Sequence, residues 1–159
     1  MTLAYVGIGS NLERPREQVL QAFEELREIP STRLTRKSSL YRSAPMGHAD
    51  QPDFVNAVAE LDSELSPPEL LEQLKKIETR HGRIRSFPNA PRTLDLDFLL
   101  HEKGPFQSAE LTLPHPRMHE RAFVLKPLLE IAPDAVVPGK GPAKSMLEKI
   151  SSQEAEKIA

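Results

Sequence analysis

The sequence lacks several features that mark particular classes of protein. It has no cysteine and no tryptophan in 159 residues, and only 5% of its residues are aromatic. The missing cysteine excludes disulfide bonds, thiolate zinc sites and a cysteine nucleophile, and it is consistent with a reducing compartment. No apolar run approaches the length of about 18 residues that a membrane span needs. The opening MTLAYVGIGSNL has no basic region of the kind that begins a signal peptide. We therefore expect a cytoplasmic protein without a membrane partner.

The chain also lacks an excess of positive charge. Its formal net charge is −2, which argues against wrapping nucleic acid as a bulk function. The length predicts a single domain over residues 1–159, large enough to bury about 70% of its unfolded surface. No long apolar surface stripe requires a second subunit, so we expect a monomer.

Hydrophobic periodicity predicts alternating strands and helices. The predicted strands are 3–10, 31–43, 54–62 and 93–101, and the predicted helices are 15–29, 66–82 and 119–133, followed by a short amphipathic segment near 145–150. The segment at 119–133 is predicted as a helix or a helix pair interrupted by Pro127, and the helix at 66–82 begins with a capping-box pattern at Ser66 and Glu69. The order β-α-β-β-α-β predicts an α+β fold, namely a ferredoxin-like antiparallel sheet with helices on both sides in three layers, αβα.

The stretch RTLDLDFLL at 92–100 carries two carboxylates where a core strand would not need them. Alternation along the predicted strand puts Asp95 and Asp97 on one face, about 6.6 Å apart. Two charges at that separation repel by about 2 kcal/mol at an effective dielectric near 20. The opposite face is apolar, formed by Leu94, Leu96, Phe98 and Leu100.

The other strands have a matching second face. The first strand places Gly7 and Gly9 there, and the strand at 54–62 places Phe54 and Asn56 there. Small residues in a strand often mark the close approach of a ligand. The alternative is a half-solvated sheet face, on which Asp and Asn are ordinary.

Basic residues flank the aspartate pair on both sides. They are Arg80, Arg83, Arg85 and Arg92 upstream, and His115, Arg117, His119 and Arg121 downstream. They either form salt bridges with the carboxylates or bind, together with Mg²⁺ on the carboxylates, the phosphates of one ligand. The second alternative is favoured, and it predicts a metal-dependent phosphoryl or nucleotidyl transferase with two metal ions bridged by the aspartates.

Other functions make different demands on the sequence. There is no P-loop pattern, and Pro116 disfavours a helical zinc pair of His115 and His119. A ferredoxin-like RNA-binding module would need an aromatic string on a basic sheet face. A non-catalytic ligand-binding domain would leave the arginines unexplained, and a palm-like nucleotidyl transferase would release pyrophosphate.

Five segments of the chain match the pattern of one known family. They are YVGIGSNL (5–12), QPDFVNAVAEL (51–61), GRIR (82–85), PRTLDLDFLL (91–100) and LPHPRMHERAFVLKPLLEIAP (113–133). Together these segments resemble the 6-hydroxymethyl-7,8-dihydropterin pyrophosphokinase family of folate biosynthesis. The resemblance covers roughly residues 1 to 138.

The resemblance implies a ferredoxin-like αβα domain that moves pyrophosphate from ATP to the hydroxymethyl group of the pterin and releases AMP. It implies that Asp95 and Asp97 hold two Mg²⁺ ions with ATP. The implied catalytic residues are Arg83, Arg92, Asp95 and Asp97. The implied ATP-binding residues are Lys75, Glu78, Arg83, Arg85, Arg92, His115 and Arg121. The implied pterin-binding residues are Ser43, Ala44, Pro45, Met46, Phe54, Asn56, Asp95 and Phe123. Two departures from the family are Lys75, where Gln is common, and SFPNA at 86–90, where a Trp is often found.

Overall fold

A computed structural model describes residues 1–12, 14–44, 52–82 and 94–158 of the chain. Over these residues the fold is mixed α/β, with an antiparallel sheet and four helices. The strands of the main sheet are β1 (Thr2–Ser10), β2 (Thr32–Lys37), β3 (Tyr41–Ser43), β4 (Phe54–Ser63), β5 (Asp95–His101) and β10 (Glu156–Lys157). The helices are α1 (Pro15–Arg27), α2 (Pro67–Arg80), α3 (Ala122–Ile131) and α4 (Ala143–Lys149). Within the described residues, none of the helices is both long enough and apolar enough to span a bilayer.

The main sheet has the order β10-β3-β4-β1-β5, and β2 pairs with β4 beside β3. Every pairing is antiparallel. Two small hairpins lie outside this sheet. They are formed by β6 (Phe106–Gln107) with β7 (Thr112–Leu113) and by β8 (Val136–Val137) with β9 (Gly141–Pro142).

Two hydrophobic clusters use the two faces of the sheet. In the first, α1 and α2 pack on β1, β4 and β5, with Phe23, Leu26, Leu70, Leu74 and Ile77 against Val6, Ile8, Ala59, Leu61 and Phe98. In the second, α3 and α4 cover part of the opposite face, with Val124, Leu125, Leu128 and Met146 near Val58, Leu99 and Leu100. The predicted helices on both sides of the sheet are therefore present. The sheet face that carries the aspartates is only partly covered by helices.

The predicted strand at 31–43 is wrong in detail, because the chain forms two strands there. At the break, the Ser38 N–H still donates to the Val58 carbonyl at 2.9 Å. The Val58 N–H, however, donates to the Ser38 hydroxyl at 2.9 Å. The Ser38 hydroxyl thus takes the place of a backbone carbonyl as the acceptor, so the regular hydrogen-bond ladder between the segment 31–43 and β4 is interrupted at Ser38. Both strands still pair with β4, on the same side of it.

The predicted side of Leu100 is also wrong. The register of β1 with β5 shifts so that Tyr5 faces Leu100 while Val6 faces Phe98, which leaves Leu99 as an extra residue in β5. Such a bulge changes the face on which the following side chains lie. Leu100 consequently packs in the second cluster, away from Leu96 and Phe98 in the first.

The helix α3 runs without a break through Pro127, with a separate 3-10 turn at Met118–Glu120 before it. The predicted interruption of the helix at this proline is therefore wrong. The short amphipathic segment near 145–150 lies mostly within α4.

The start of α2 confirms the capping box. The Glu69 N–H donates to the Ser66 hydroxyl at 3.3 Å, and the Ser66 N–H donates to the Glu69 carboxylate at 2.9 Å. Pro67 occupies the first turn, where its missing N–H costs nothing, and Gly82 follows the helix with a φ of 73°.

We expect Ser66→Ala to lower the free energy of unfolding by about 1 kcal/mol, because the Glu69 N–H in the first turn loses its side-chain acceptor. Urea denaturation followed by circular dichroism measures this change. Ser66→Asp, which retains an acceptor, is the control and should lose much less. Equal losses in the two variants would contradict the capping role.

Candidate active site

The candidate site begins with the register of β1 and β5. Gly7 lies opposite Asp97, and Gly9 lies opposite Asp95. Residues directly opposite each other in an antiparallel pair share one face of the sheet. The two glycines have no side chain to cover the carboxylates, so the space above this part of the sheet stays open.

The other neighbour of β1 supplies polar and aromatic groups to the same face. Asn56 lies opposite Gly9, and its Nδ2 donates to the Ser43 hydroxyl at 2.7 Å. Asn56 is only 3% exposed, so this hydrogen bond fixes the orientation of its carboxamide. Phe54 lies two residues earlier on β4 and pairs with Ser43.

A methyl group on Gly9 would enter this space. An ideal Cβ there would lie 3.3 Å from the Asn56 Oδ1 and 3.8 Å from the Phe54 ring. Glycine at this position therefore keeps the amide and the aromatic ring accessible to a ligand.

The start of α3 closes the space from the other side. The Arg121 guanidinium lies 4.0 Å from an Asp97 carboxylate oxygen and 5.6 Å from the centre of the Phe123 ring. Phe123 is half-buried against the second hydrophobic cluster. The resulting cavity is partly open to solvent. Its lining combines Gly7, Ile8, Gly9, Ser43, Ala44, Phe54, Asn56, Ala57, Asp95, Asp97, Arg121, Phe123 and Val124.

Comparison with known proteins identifies the family to which the chain belongs. The model of the family 7,8-dihydro-6-hydroxymethylpterin-pyrophosphokinase (HPPK) matches residues 5–133. The chain belongs to the HPPK family. This match covers more than half of the chain and includes most of β1 and all of β4, β5 and α3.

Two bacterial relatives are similar along most of their length. Both are 2-amino-4-hydroxy-6-hydroxymethyldihydropteridine pyrophosphokinases. The protein from Haemophilus influenzae is 48% identical over 138 residues, which are 87% of this chain and 86% of the relative. The protein from Pseudomonas aeruginosa is 49% identical over 134 residues, which are 84% of this chain and 83% of the relative.

A solved structure of the Plasmodium falciparum HPPK-DHPS with pteroate has the same fold. The TM-score is 0.75 at 14% identity, and the match covers 95% of this chain. The chain spans 42% of that longer protein. At this low identity the likeness concerns the HPPK fold alone.

The predicted site residues fall into four groups. Those that line the cavity are Ser43, Ala44, Phe54, Asn56, Asp95, Asp97, Arg121 and Phe123. His115 lies beside it, with its Nε2 4.0 Å from Asp97. Lys75 and Glu78 belong to α2, which packs on the other face of the sheet. Outside the described residues lie Pro45, Met46, Arg83, Arg85 and Arg92.

Glu78 and Lys75 make contacts that the sequence did not predict. The Leu96 N–H donates to the buried Glu78 carboxylate at 2.8 Å, which links α2 to the strand between the two aspartates. Lys75 forms an ion pair with Glu110 at 3.0 Å, beside a second groove between α2 and the β6–β7 hairpin. Their predicted role in ATP binding remains a prediction.

The carboxylates are the candidate metal ligands. Within residues 1–12, 14–44, 52–82 and 94–158, no group of three or more His, Cys, Asp or Glu side chains could hold a metal ion. Two aspartates on an open face nevertheless fit Mg²⁺, which takes oxygen ligands and usually binds through one or two carboxylates, substrate phosphates and water. Asp97 is 30% exposed, so its oxygens are accessible from the cavity.

His115 is held close to Asp97 but is not a salt-bridge partner at neutral pH. Its backbone N–H donates to the Leu99 carbonyl at 2.8 Å, and its side chain is 20% exposed. Burial lowers the pKa of His115 from 6.5 to about 4, and the positive charges of Arg121 and Arg117 act in the same direction. The nearby Asp95 opposes this shift. The imidazole is therefore neutral above about pH 5.

This pKa of His115 predicts a pH dependence of stability for the metal-free protein. Because the folded-state pKa lies below that of the unfolded chain, the unfolded chain binds more protons between about pH 4 and 6.5. The contribution of His115 to stability is thus fully present above pH 6.5 and is lost as the pH falls toward 4. NMR titration of the imidazole should give a midpoint near 4.

Two variants control this measurement. Arg121→Met should raise the His115 midpoint, because one of the charges that depress it is gone. His115→Asn should remove the signal and flatten the fall in stability. A His115 midpoint near 6.5 in the unchanged protein would contradict the assignment.

Proposed function

We propose that this chain transfers pyrophosphate from ATP to 6-hydroxymethyl-7,8-dihydropterin, giving AMP and the pterin diphosphate, in tetrahydrofolate biosynthesis. Membership of the HPPK family supports the reaction. The observation that carries the proposal is that Asp95 and Asp97 line the same cavity as Phe54, Asn56 and Phe123. The residues proposed for the phosphate chemistry and those proposed to bind a flat heterocycle thus line the same cavity.

The aromatic end of the cavity suits a pterin. Phe54 comes from β4 and Phe123 from α3, and both line the space. Aromatic rings bind a flat heterocycle by stacking. Asn56, oriented by its hydrogen bond to Ser43, would read the polar edge of the ring. Backbone groups from Ser43 and Ala44, continuing to Pro45 and Met46, would complete that edge, and Asp95 would lie near the hydroxymethyl group.

The acidic end suits the phosphates and their metal ions. We propose that Asp95 and Asp97 hold two Mg²⁺ ions with ATP. When bound, the ions would shield the phosphate charge and make the pterin hydroxyl easier to deprotonate. Arg121 and His115 lie within about 4 Å of Asp97, where they would contact the triphosphate. The remaining ATP contacts would come from Lys75, Glu78, Arg83, Arg85 and Arg92.

The reaction is an in-line displacement at phosphorus. The pterin hydroxyl oxygen attacks the β-phosphorus and its proton is released to solvent, while the bond between that phosphorus and the α,β-bridging oxygen breaks and AMP leaves with the bridging oxygen. Phe54, Phe123 and Asn56 orient the alcohol, which supplies the proximity part of catalysis. Arg121, with Arg83 and Arg92, stabilises the negative charge spreading over the transferring oxygens.

We also propose three properties at the level of the whole chain. The topology is ferredoxin-like, supported by the order β3-β4-β1-β5 with α1 and α2 on one face. Residues 1–159 form one pyrophosphokinase domain that works as a cytoplasmic monomer. Its partners are ATP and the pterin, with no nucleic acid and no membrane, because the carboxylates on the open face would repel a phosphate backbone without bound cations.

The deciding experiment identifies the nucleotide product. The protein is incubated with ATP, Mg²⁺ and 6-hydroxymethyl-7,8-dihydropterin, and the nucleotides are separated by anion-exchange chromatography. Pterin-dependent formation of AMP supports the proposal. Formation of ADP would indicate a simple kinase, and formation of pyrophosphate would indicate a nucleotidyl transferase. Either of these products, or no turnover, would overturn the proposal.

Asp97→Asn should lower turnover by about 100-fold or more, because a proposed ligand of the Mg²⁺ ions that stabilise the transition-state charge is removed. Pterin affinity, measured by the fluorescence of the pterin, should change far less. The paired variant Asp95→Asn should behave similarly in turnover. Near-normal turnover of Asp97→Asn in Mg²⁺ would refute the metal assignment.

Gly9→Val should weaken pterin binding while preserving ATP binding. Its branched side chain would fill the space beside Asn56 and Phe54, into which even a Cβ would project. We expect a loss of pterin affinity of at least about 10-fold, measured by calorimetry, because overpacking is costly. Gly9→Ala, with the smaller intrusion, should lose less. Equal pterin affinity in all three proteins would place the pterin elsewhere.

A further inference from the structure

Residues 150–158 run back from α4 to the start of α3 and end at the main sheet. The segment begins with a turn in which the Gln153 N–H donates to the Ile150 carbonyl at 3.0 Å. This part of the chain lies beyond residues 5–133, which the HPPK family model matches. Nothing in its sequence predicted a functional role.

The side chain of Gln153 makes two hydrogen bonds to the backbone at the start of α3. Its Oε1 accepts from the Ala122 N–H at 3.0 Å, and its Nε2 donates to the Glu120 carbonyl at 2.7 Å. These two backbone groups lie immediately before and after Arg121. The carboxamide of Gln153 therefore holds the backbone on both sides of one residue.

The Gln153 side chain supplies a hydrogen bond at the start of α3 that the N-cap side chain does not make. Arg121 is the N-cap residue of α3, and its own side chain makes no cap hydrogen bond. The first N–H groups of a helix have no partner inside the helix. Gln153 satisfies the one at Ala122 from a distant part of the sequence.

The backbone that Gln153 binds belongs to the segment that forms one wall of the cavity. Arg121 and Phe123 flank Ala122 and both line the cavity. Ala122 itself is 1% exposed, and the Arg121 guanidinium lies between the Asp97 carboxylate and the Phe123 ring. A rotation of this first turn would move the guanidinium and the ring together.

The same segment also pairs with β3, which contributes Ser43 to another wall of the cavity. The Ala155 carbonyl accepts from the Lys126 ammonium at 2.9 Å, and Ala155 is buried. Further on, β10 pairs with β3, where Glu156 lies opposite Arg42. The next residue of β3 is Ser43, the partner of Asn56. Residues 150–158 thus tie the two walls of the cavity to each other.

We propose that Gln153 is a positioning residue for the reaction, which sets Arg121 and Phe123 against the phosphates and the pterin. This inference rests on the proposed function of the site. A purely structural role predicts a lower melting temperature with unchanged kinetic constants. A positioning role predicts changed constants at temperatures where the variant is fully folded.

The test compares Gln153→Ala and Gln153→Glu with the unchanged protein. Glu154→Ala is the matched control, because Glu154 is exposed and adjacent in the same segment. AMP formation is measured against pterin and ATP concentration, at least about 15 °C below each melting temperature. We expect Gln153→Ala to lower kcat/KM for the pterin about 10-fold, since small misplacements of positioning groups have effects of this size or larger.

Gln153→Glu separates the two hydrogen bonds. A carboxylate still accepts from the Ala122 N–H but cannot donate to the Glu120 carbonyl. We therefore expect a kcat/KM for the pterin between the values of the unchanged protein and Gln153→Ala. The control Glu154→Ala should keep both constants within about twofold. If Gln153→Ala does not fold, Gln153→Glu carries the comparison with the control.

A second readout does not depend on turnover. The ¹⁵N–¹H signal of the Arg121 side chain in the ligand-free protein should shift or broaden in both Gln153 variants and stay unchanged in Glu154→Ala. Kinetic constants and an Arg121 signal equal to those of the unchanged protein would overturn the inference. If the unchanged protein forms no AMP, the proposed function fails, and the Arg121 signal still decides whether Gln153 holds this wall.

Discussion

Antiparallel pairing of β1 with β5 sets Gly7 opposite Asp97 and Gly9 opposite Asp95, and the chemistry of the site depends on this register. A slip by one residue would turn both carboxylates toward α1 and α2, where unpaired charges are costly to bury. The apolar residues Leu94, Leu96 and Phe98 prevent that slip, because they occupy the first hydrophobic cluster. The core that stabilises the fold therefore also orients the carboxylates.

The bulge at Leu99 limits how far the open face extends. Beyond it, both Leu99 and Leu100 belong to the cluster under α3 and α4, together with Val58 from β4. The sheet face is thus polar and open at one end and covered by helices at the other. The boundary lies at the start of α3, so Arg121 and Phe123 are brought over the aspartates by the same packing that closes the apolar part.

Short-range patterns in the sequence predicted the parts of this arrangement that depend on periodicity. Alternation placed Phe54 and Asn56 on one face of a strand, and the capping box gave the start of α2. Three features depend on contacts between distant residues and could not be predicted in this way. They are the break in the strand at Ser38, the bulge at Leu99 and the hydrogen bonds of Gln153 to the start of α3. A glutamine in a polar segment looks the same in the sequence whether it caps a distant helix or faces water.

Binding of a polyphosphate next to two carboxylates has an electrostatic requirement. Among the described residues, the Arg121 guanidinium lies 4.0 Å from Asp97, and His115 beside it is neutral because burial and Arg121 lower its pKa. In the proposed function, divalent cations on Asp95 and Asp97 would offset the repulsion between the carboxylates and the phosphates. The arginines at 83, 85 and 92 would add positive charge toward the same ligand. A nucleotide would then bind together with its metal ions, whereas a phosphate backbone without such cations would be repelled.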